Sequence, residues 1–246
     1  MFEAFGLAQK LIREAYWVNE TVFWRPSKQD RSRIERTGRV QDTEDGLSEF
    51  PHVIVNQARL QHYLLDYARL SPTRLEANYG QEFVTLKVES GGEYPVVVTL
   101  RDAASGEETT VRAKYVVGCD GARSGVRDAI GAVPQGDFAN HAWGVVDMLA
   151  TTDFPDIRLK AAIQSGDEGN ILLIPREGGF MVRLYVDLGD IDPNNREAFR
   201  DKHTQDSVIA TAQRVLRPYT LDVKSVVWFA VYQVGQRVPD RFAHVP

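Results

Sequence analysis

The stretch from residue 115 to residue 131 constrains the fold of this chain most, because it joins an apolar run, a glycine turn and a helical pattern. The apolar residues 115–117 are typical of the end of a buried strand. The sequence Gly-Cys-Asp-Gly at 118–121 lets the chain reverse without a side-chain clash, and the spacing of residues 122–130 predicts a helix. In open α/β sheets such a junction lies where ligands bind, and the helix start offers backbone N–H groups to a phosphate.

Ser124 and Arg127 follow this turn and suit a nearby anion, although strand–turn–helix connections with Asp and Gly are common in any α/β domain. The literal string Gly-x-Asp-Gly-x-x-Ser-x-Val-Arg, which begins at Gly118, is more specific. It resembles the second FAD fingerprint of the flavin-dependent aromatic hydroxylases. The resemblance implies that Asp120 and Gly121 lie near the pyrophosphate and ribose of FAD, and that Arg127 handles the pyridine nucleotide.

Composition excludes several other classes of protein. The 246 residues are 43% apolar and 26% charged, which is enough to bury a core in one large domain or two small ones. A net charge of −5 without a Lys/Arg-rich run argues against nucleic acid as a partner. No stretch approaches the roughly 20 apolar residues that span a bilayer, and the first residues resemble an amphipathic helix rather than a signal peptide. We therefore expect a cytoplasmic protein with no membrane partner.

Cysteine and histidine usage argues against disulfide and metal chemistry. Cys119 is the single cysteine, so the chain cannot form an internal disulfide, and its place at a turn predicts a small, packed side chain rather than a nucleophile. The five histidines are scattered without the spacing of metal ligands, and we expect no bound metal.

The pattern along the chain predicts a mixed α/β and α+β fold in two regions. Residues 1–135 are expected to form part of an FAD-binding, Rossmann-like domain with a β-meander, and residues 136–246 a mainly antiparallel substrate-domain sheet with helices. The acidic run 42–45 is expected to be a solvated loop. Predicted helices cover 2–14, 57–67 and, in two pieces, 196–216; predicted strands cover 16–24, 31–40, 53–55, 75–79, 82–88, 94–101, 109–115, 143–149, 158–163, 169–174, 180–188 and 223–234.

Gln57 begins the second predicted helix and has two interpretations of about equal weight. It suits a helix start without having any chemical role. The sequence Gln-x-x-Leu at 57–60 is also similar to a motif of the aromatic hydroxylases, and that resemblance implies a glutamine on the flavin side of the pocket.

Arg183 and Tyr185 are two residues apart in a predicted strand, so both side chains project from the same face of the sheet. Spacing alone favours an ordinary exposed face. However, the strings Pro-Arg-Glu from Pro175, Arg-x-Tyr-Val from Arg183 and Trp-Phe-x-x-Tyr-x-x-Gly-Gln-Arg from Trp228 resemble the phenol hydroxylase and 3-hydroxybenzoate 4-hydroxylase branch of the family. The resemblance implies that Tyr185 hydrogen-bonds the substrate hydroxyl, that Arg183 lies near the flavin and that Arg176 lies near the same cavity.

The resemblance covers nearly the whole chain, but the sequence lacks two motifs of the family. The N-terminal Gly-x-Gly-x-x-Gly is absent, and the later Gly-Asp motif would lie beyond Pro246. We therefore expect this chain to be an internal piece of a longer hydroxylase. By itself it is expected to be inactive and to bind FAD weakly or not at all. The complete protein is expected to use FAD with NADPH or NADH to hydroxylate a small phenolic substrate, and to be a homo-oligomer. Two alternatives are a silent module that binds an aromatic ligand or a partner chain, and another flavoprotein such as an epoxidase.

Overall fold

The computed structural model describes residues 1–192 and 196–244, and this part of the chain forms two compact units. The first unit contains residues 1–72 and 139–234, and the second contains residues 73–138 and 235–246. The prediction that an FAD-binding region ends and a substrate region begins after residue 135 stays a prediction. In the structure, residues 1–72 belong to the same compact unit as the strands within residues 139–234.

The first unit is built on a seven-stranded mixed sheet. Its strands are β2 Glu20–Pro26, β3 Ile34–Gln41, β8 Pro134–Thr152, β9 Lys160–Gln164, β10 Asn170–Pro175, β11 Met181–Asp190 and β12 Leu221–Pro239. They lie in the order β12-β8-β11-β10-β9-β2-β3. The pairs β8/β11, β11/β10, β10/β9 and β2/β3 are antiparallel, and β2 lies parallel to β9.

One face of this sheet forms the core of the unit. Alternation along β11 buries Val182, Leu184 and Val186, which join the same apolar cluster as Val208 and Ala212 of helix α5, Gln205–Val215. Helix α5 begins after Thr204, whose side-chain oxygen accepts a hydrogen bond from the backbone N–H of Ser207, and it follows helix α4, Arg196–Lys202. Because one face of β11 is covered, the side chains of alternate residues point to the other face.

The beginning of the chain adds short elements to the first unit. Helix α1, Ala8–Glu14, follows a 3₁₀ turn, and the two-residue strands β1, Tyr16–Trp17, and β4, Val53–Ile54, pair with each other. Asn56 caps helix α2, Gln57–Arg69, because its side-chain oxygen accepts a hydrogen bond from the backbone N–H of Ala58.

The prediction that residues 42–45 form a solvated loop is wrong for Asp42. Its carboxylate accepts hydrogen bonds from Thr21, Lys160 and His52, and the side chain is only 12% exposed. A carboxylate can accept several hydrogen bonds at once. Asp42 therefore fixes this loop through its three donors.

The second unit contains a three-stranded antiparallel meander of β5, Gln81–Val88, β6, Val96–Asp102, and β7, Glu108–Ala113. Helix α3, Gly125–Ala129, follows a 3₁₀ turn at Gly121–Arg123. The strand predicted at 115–117 does not form, and neither does the strand predicted at 75–79. A strand needs a hydrogen-bonded neighbour, and no strand of the described residues pairs with either segment.

Within the described residues, no helix is long and apolar enough to cross a membrane. The predicted combination of a β-meander with a mainly antiparallel sheet and helices is confirmed.

Candidate functional site

Arg183 and Tyr185 lie on the face of the main sheet that helix α5 does not cover, as their spacing predicted. Arg183 is directly opposite Asp147 of β8, and Tyr185 is opposite Val145. The Nη1 atom of Arg183 lies 3.4 Å from the hydroxyl oxygen of Tyr185, at the long limit of a hydrogen bond. The strand therefore brings a cation and a phenol together on one face.

Asp147 holds this arginine through two hydrogen bonds. The Nε and Nη2 atoms of Arg183 donate to the two oxygens of Asp147 at 2.5 and 2.7 Å, and the carboxylate side chain is almost fully buried. The hydrogen bond to Asp147 is the main reason that the pKa of Arg183 is raised above its ordinary value. A two-point contact of this kind fixes the plane of the guanidinium group as well as its position.

Arg176 also donates a hydrogen bond to the carboxylate of Asp147. Its Nη1 donates to Asp147 at 2.8 Å, and its Nε and Nη2 donate to the two oxygens of Glu177 at 3.0 Å each. Burial raises the pKa of Glu177, but the hydrogen bonds from Arg176 outweigh it and the pKa is lowered overall. Arg176 is 5% exposed, so its guanidinium is engaged with two acidic side chains beneath the surface of the sheet. Its predicted role near the substrate stays a prediction.

Two aromatic side chains of β12 belong to this face. The guanidinium carbon of Arg183 lies 5.2 Å from the ring centre of Trp228 and 5.9 Å from that of Tyr185, both within cation–π range. Trp228 is 45% exposed, and burial together with the nearby Tyr185 raises the pKa of Tyr232. The uncovered face thus combines one held cation with three aromatic rings, a set of groups that can bind a planar aromatic anion.

The second group of predicted site residues lies in the turn at 118–121 and directly after it, within the second unit. Asp120 accepts a hydrogen bond from the hydroxyl of Ser124 and another from the backbone N–H of Val126 at 3.1 Å. Ser124 in turn accepts the backbone N–H of Arg127 at 3.0 Å and caps helix α3. The hydrogen bond from Ser124 is the main reason that the pKa of Asp120 is lowered. Asp120 and Ser124 therefore fix the turn by their own contacts.

A cavity of about 1160 Å³ adjoins this turn, and much of its lining is apolar. Gly121 has a backbone φ of +80°, which favours glycine, and no atom lies within 4 Å of where its Cβ would be. The Nε atom of Arg127 is buried without a hydrogen-bond partner among residues 1–192 and 196–244. An open glycine, an unsatisfied buried donor and an adjoining cavity fit a phosphate-bearing cofactor.

Two further predictions concern single residues. Gln57 is the first residue of helix α2 in the first unit, and its side chain is exposed. The prediction that Cys119 is packed and buried is wrong, because its side chain is exposed. The segment that includes Cys119 has no neighbouring strand among the described residues to cover it.

Sequence reasoning missed Asp147, which is central to the arrangement of Arg183. A signal was present, since an acidic residue interrupts the apolar run Val145-Val146-Asp147-Met148. A charge on a buried strand requires a partner, but only the pairing of β8 with β11 shows which residue provides it.

Comparison with known proteins identifies the family. A family model described as an FAD binding domain matches residues 1–244, and the chain belongs to that family. The predicted membership is confirmed.

Two relatives of this chain are monooxygenases of phenolic compounds by their names. The chain is 55% identical over 249 residues to a 3-hydroxybenzoate 4-monooxygenase of Comamonas testosteroni, a match that covers all of this chain and 39% of the relative. It is 30% identical to a phenol 2-monooxygenase of Aspergillus fumigatus over 99% of this chain and 40% of the relative. The chain therefore spans about two fifths of the length of these relatives.

A crystal structure of the flavin-dependent monooxygenase PieE in complex with FAD and substrate has the same fold, with a TM-score of 0.71, 18% identity and coverage of 99% of this chain and 42% of that one.

Proposed function

We propose that the whole protein is an FAD-dependent monooxygenase that hydroxylates a small phenolic compound, with NADPH or NADH as the reductant. The observation that carries this proposal is the pair Arg183 and Tyr185, a held cation beside a phenol on the sheet face opposite helix α5. In a chain of an FAD-binding family, this pair offers recognition of a phenolic hydroxyl.

The proposed chemistry depends on the charge of the substrate. A phenolate is a better nucleophile than a neutral phenol, so the protein gains rate by favouring the deprotonated form. In our proposal Tyr185 hydrogen-bonds the substrate hydroxyl, and the positive charge of Arg183 stabilises the negative oxygen that develops there. The overall reaction takes one aromatic C–H, O₂, one NAD(P)H and one proton, and gives the hydroxylated ring, NAD(P)⁺ and water.

Bound FAD would supply the oxygen activation, while the chain supplies binding and orientation. We assign Asp120, Gly121, Ser124 and Arg127 to the cofactor. Asp120 and Ser124 would act through the turn that they fix, Gly121 through its bare backbone, and Arg127 through its unsatisfied Nε. Gln57 is exposed at the start of helix α2 and stays a candidate for the same cofactor.

We assign Arg176 a supporting role within the substrate site. All three of its nitrogen groups donate to Asp147 or Glu177, so its contribution is to neutralise and hold Asp147. Substrate contact then falls to Tyr185 and to the part of Arg183 that faces it.

The substrate class follows from the relatives and from the charge of this face. The relatives named above act on 3-hydroxybenzoate or on phenol by their names. A hydroxylated benzoate and a simple phenol both present the ring and hydroxyl that Tyr185 would bind. We therefore propose a phenol or hydroxybenzoate as substrate.

The test uses the complete gene product, purified and supplied with FAD. We expect a flavin absorption spectrum, NAD(P)H oxidation that rises on addition of 3-hydroxybenzoate or phenol, and a hydroxylated product detected by mass spectrometry. Binding of an aromatic compound without flavin and without product would instead support a silent binding module.

A further inference from the structure

We propose that Asp147 is a positioning residue for the substrate site, because its buried carboxylate fixes the guanidinium of Arg183 beside the hydroxyl of Tyr185. This inference rests on the proposed function, which assigns the substrate hydroxyl to Tyr185. It adds a residue that neither the sequence motifs nor the family resemblance assigned.

The carboxylate of Asp147 is buried on the sheet face that also has Arg183 and Tyr185. Its neighbours Val146 and Met148 are buried in the core, so alternation along β8 directs Asp147 to the opposite face, where Arg183 and Tyr185 lie. A residue on the uncovered face of a sheet is ordinarily solvated, yet Asp147 is only 5% exposed. The cation of Arg183 and the chain around it cover the carboxylate.

The contact with Asp147 fixes the direction of the Arg183 guanidinium. Arg183 has a long side chain that one acceptor would leave free to rotate. The two oxygens of Asp147 accept from Nε and Nη2, which leaves Nη1 as the nitrogen that faces Tyr185. Because Nη1 occupies the acceptor side of the phenol oxygen, the O–H of Tyr185 is free to point toward a ligand.

The charges around Asp147 balance one another. Asp147 also accepts from Arg176, and Arg176 is paired with Glu177, so two cations and two anions alternate in one group whose inner members, Asp147 and Arg176, are buried. A net charge of zero lets this group remain buried while the outward side of Arg183 stays available over Trp228. If Asp147 were only a stabilising residue, the direction of Nη1 would carry no consequence for binding or turnover.

The chain offers a matched control for this proposal in Asp156. This carboxylate is 4% exposed and accepts two hydrogen bonds from Arg36, at 2.8 and 2.6 Å, as well as one from the indole of Trp24 at 2.9 Å. Asp156 therefore shares the burial and the two-point arginine contact of Asp147, but its hydrogen-bond partners are Arg36 and Trp24 and the arginine that it holds is not Arg183.

The first measurement uses this chain without cofactor. The chain has four tryptophans, so the emission of Trp228 is taken as the difference between each protein and the same protein with Trp228→Phe. We expect acrylamide to quench Trp228 more strongly in Asp147→Glu than in the wild type, because the longer side chain displaces the arginine that covers the ring. Arg183→Lys, which keeps the cation but loses the fork and leaves Asp147 paired with Arg176, is expected to show the same increase and serves where the Asp147 variant does not fold. Asp156→Glu should leave the quenching of Trp228 unchanged.

The second measurement uses the complete gene product and a double-mutant cycle. Asp147→Glu should reduce kcat for hydroxylation by about ten- to a hundredfold while changing KM much less, since the group is displaced rather than removed. In the Tyr185→Phe background the same change should cause a clearly smaller further loss, because part of its effect passes through Tyr185. Asp156→Glu should lower thermal stability without this change in kcat.

The outcomes separate the two proposals. Unchanged quenching of Trp228 in Asp147→Glu and Arg183→Lys, or losses of kcat that simply multiply with that of Tyr185→Phe, would overturn the positioning role. If Tyr185→Phe alone hydroxylates at the wild-type rate, the proposed role of Tyr185 fails, and the positioning role in substrate binding fails with it. The quenching result then still decides whether Asp147 holds Arg183.

Discussion

Gly118 and Val126 approach each other so closely that a Cβ atom placed on Gly118 would lie 2.8 Å from two carbon atoms of the Val126 side chain. Real Cβ contacts do not occur below about 3.0 Å. The turn therefore packs on helix α3 through bare backbone, which gives a physical reason for glycine at the first position of the fingerprint.

Gly118→Ala is accordingly expected to destabilise the second unit by about 1–3 kcal/mol, as other overpacked sites do. Hydrogen exchange of the backbone amides in residues 122–131 measures this, and exchange should become faster. Gly38→Ala is the control, because its Cβ would meet Phe23 at 3.6 Å, an ordinary contact. Equal exchange in the wild type and Gly118→Ala would contradict the close packing.

The parts of the fold that the sequence predicted are those with local causes. The second helical piece predicted within 196–216 is helix α5, and the apolar spacing of Val208, Ala212 and Val215 that indicates it lies within a dozen residues. Arg183 and Tyr185 share a face because side chains in a strand alternate with a period of two. No long-range information is needed for either prediction.

The parts that the sequence did not predict depend on distant partners. Residues 115–117 have the composition of a strand, but composition does not provide the neighbouring strand with which to pair. Asp147 and Arg183 are 36 residues apart, and only the register of β8 on β11 places them opposite each other. The three side chains that donate to Asp42 lie outside the acidic run, so the run by itself indicates only a solvated loop.

Asp42 should make the stability of the first unit depend on acid pH. The hydrogen bond from His52 is the main cause that lowers its pKa from 3.8 to about 2, with help from Lys160 and Thr21. A lowered folded-state pKa adds stability above the unfolded value, and this stability is lost as the pH falls from about 4 to about 2. The contribution is on the order of 2 kcal/mol. Urea unfolding from pH 5 to pH 2 should show the wild type losing its advantage over Asp42→Asn in that window.

Asp45→Asn serves as the control for this prediction, since Asp45 is an exposed residue of the same acidic run. Its unfolding free energy should follow that of the wild type across the whole pH range. A constant difference between the wild type and Asp42→Asn from pH 5 to pH 2 would refute the prediction.

His141 should produce the opposite pH dependence near neutrality. Its ring contacts Asp190 at 3.0 Å and Asp187 at 2.7 Å, and the hydrogen bond to Asp190 is the main cause that raises its pKa above 6.5. A raised folded-state pKa adds stability that is fully present below pH 6.5 and is lost as the pH rises through the folded-state value. The stability advantage of the wild type over His141→Gln should therefore shrink from pH 6 to pH 8. An advantage that grows over this range would show that the neutral ring is the stabilised form.

Tyr185→Phe tests the proposed substrate site most directly, because the change removes one hydroxyl and keeps the ring. The loss of a charge-assisted hydrogen bond to a developing phenolate corresponds to roughly 1.5–3 kcal/mol, or about one to two powers of ten in hydroxylation rate. Substrate affinity should fall less, and the free energy of unfolding should change little. Because reduction of the cofactor does not require a phenolate, we expect NAD(P)H oxidation to continue with hydrogen peroxide released in place of product.

Rapid-mixing kinetics on the complete gene product separate these steps, since cofactor reduction and substrate hydroxylation are followed independently. Tyr219→Phe is the matched control: this tyrosine contacts the rings of Trp24 and Phe154, and its substitution should leave coupling unchanged. If Tyr185→Phe converts NAD(P)H into product as fully and as fast as the wild type, Tyr185 does not contact the substrate. Arg183 and Tyr185 would then be an ordinary pair on a sheet face, and the substrate hydroxyl would have to be bound elsewhere.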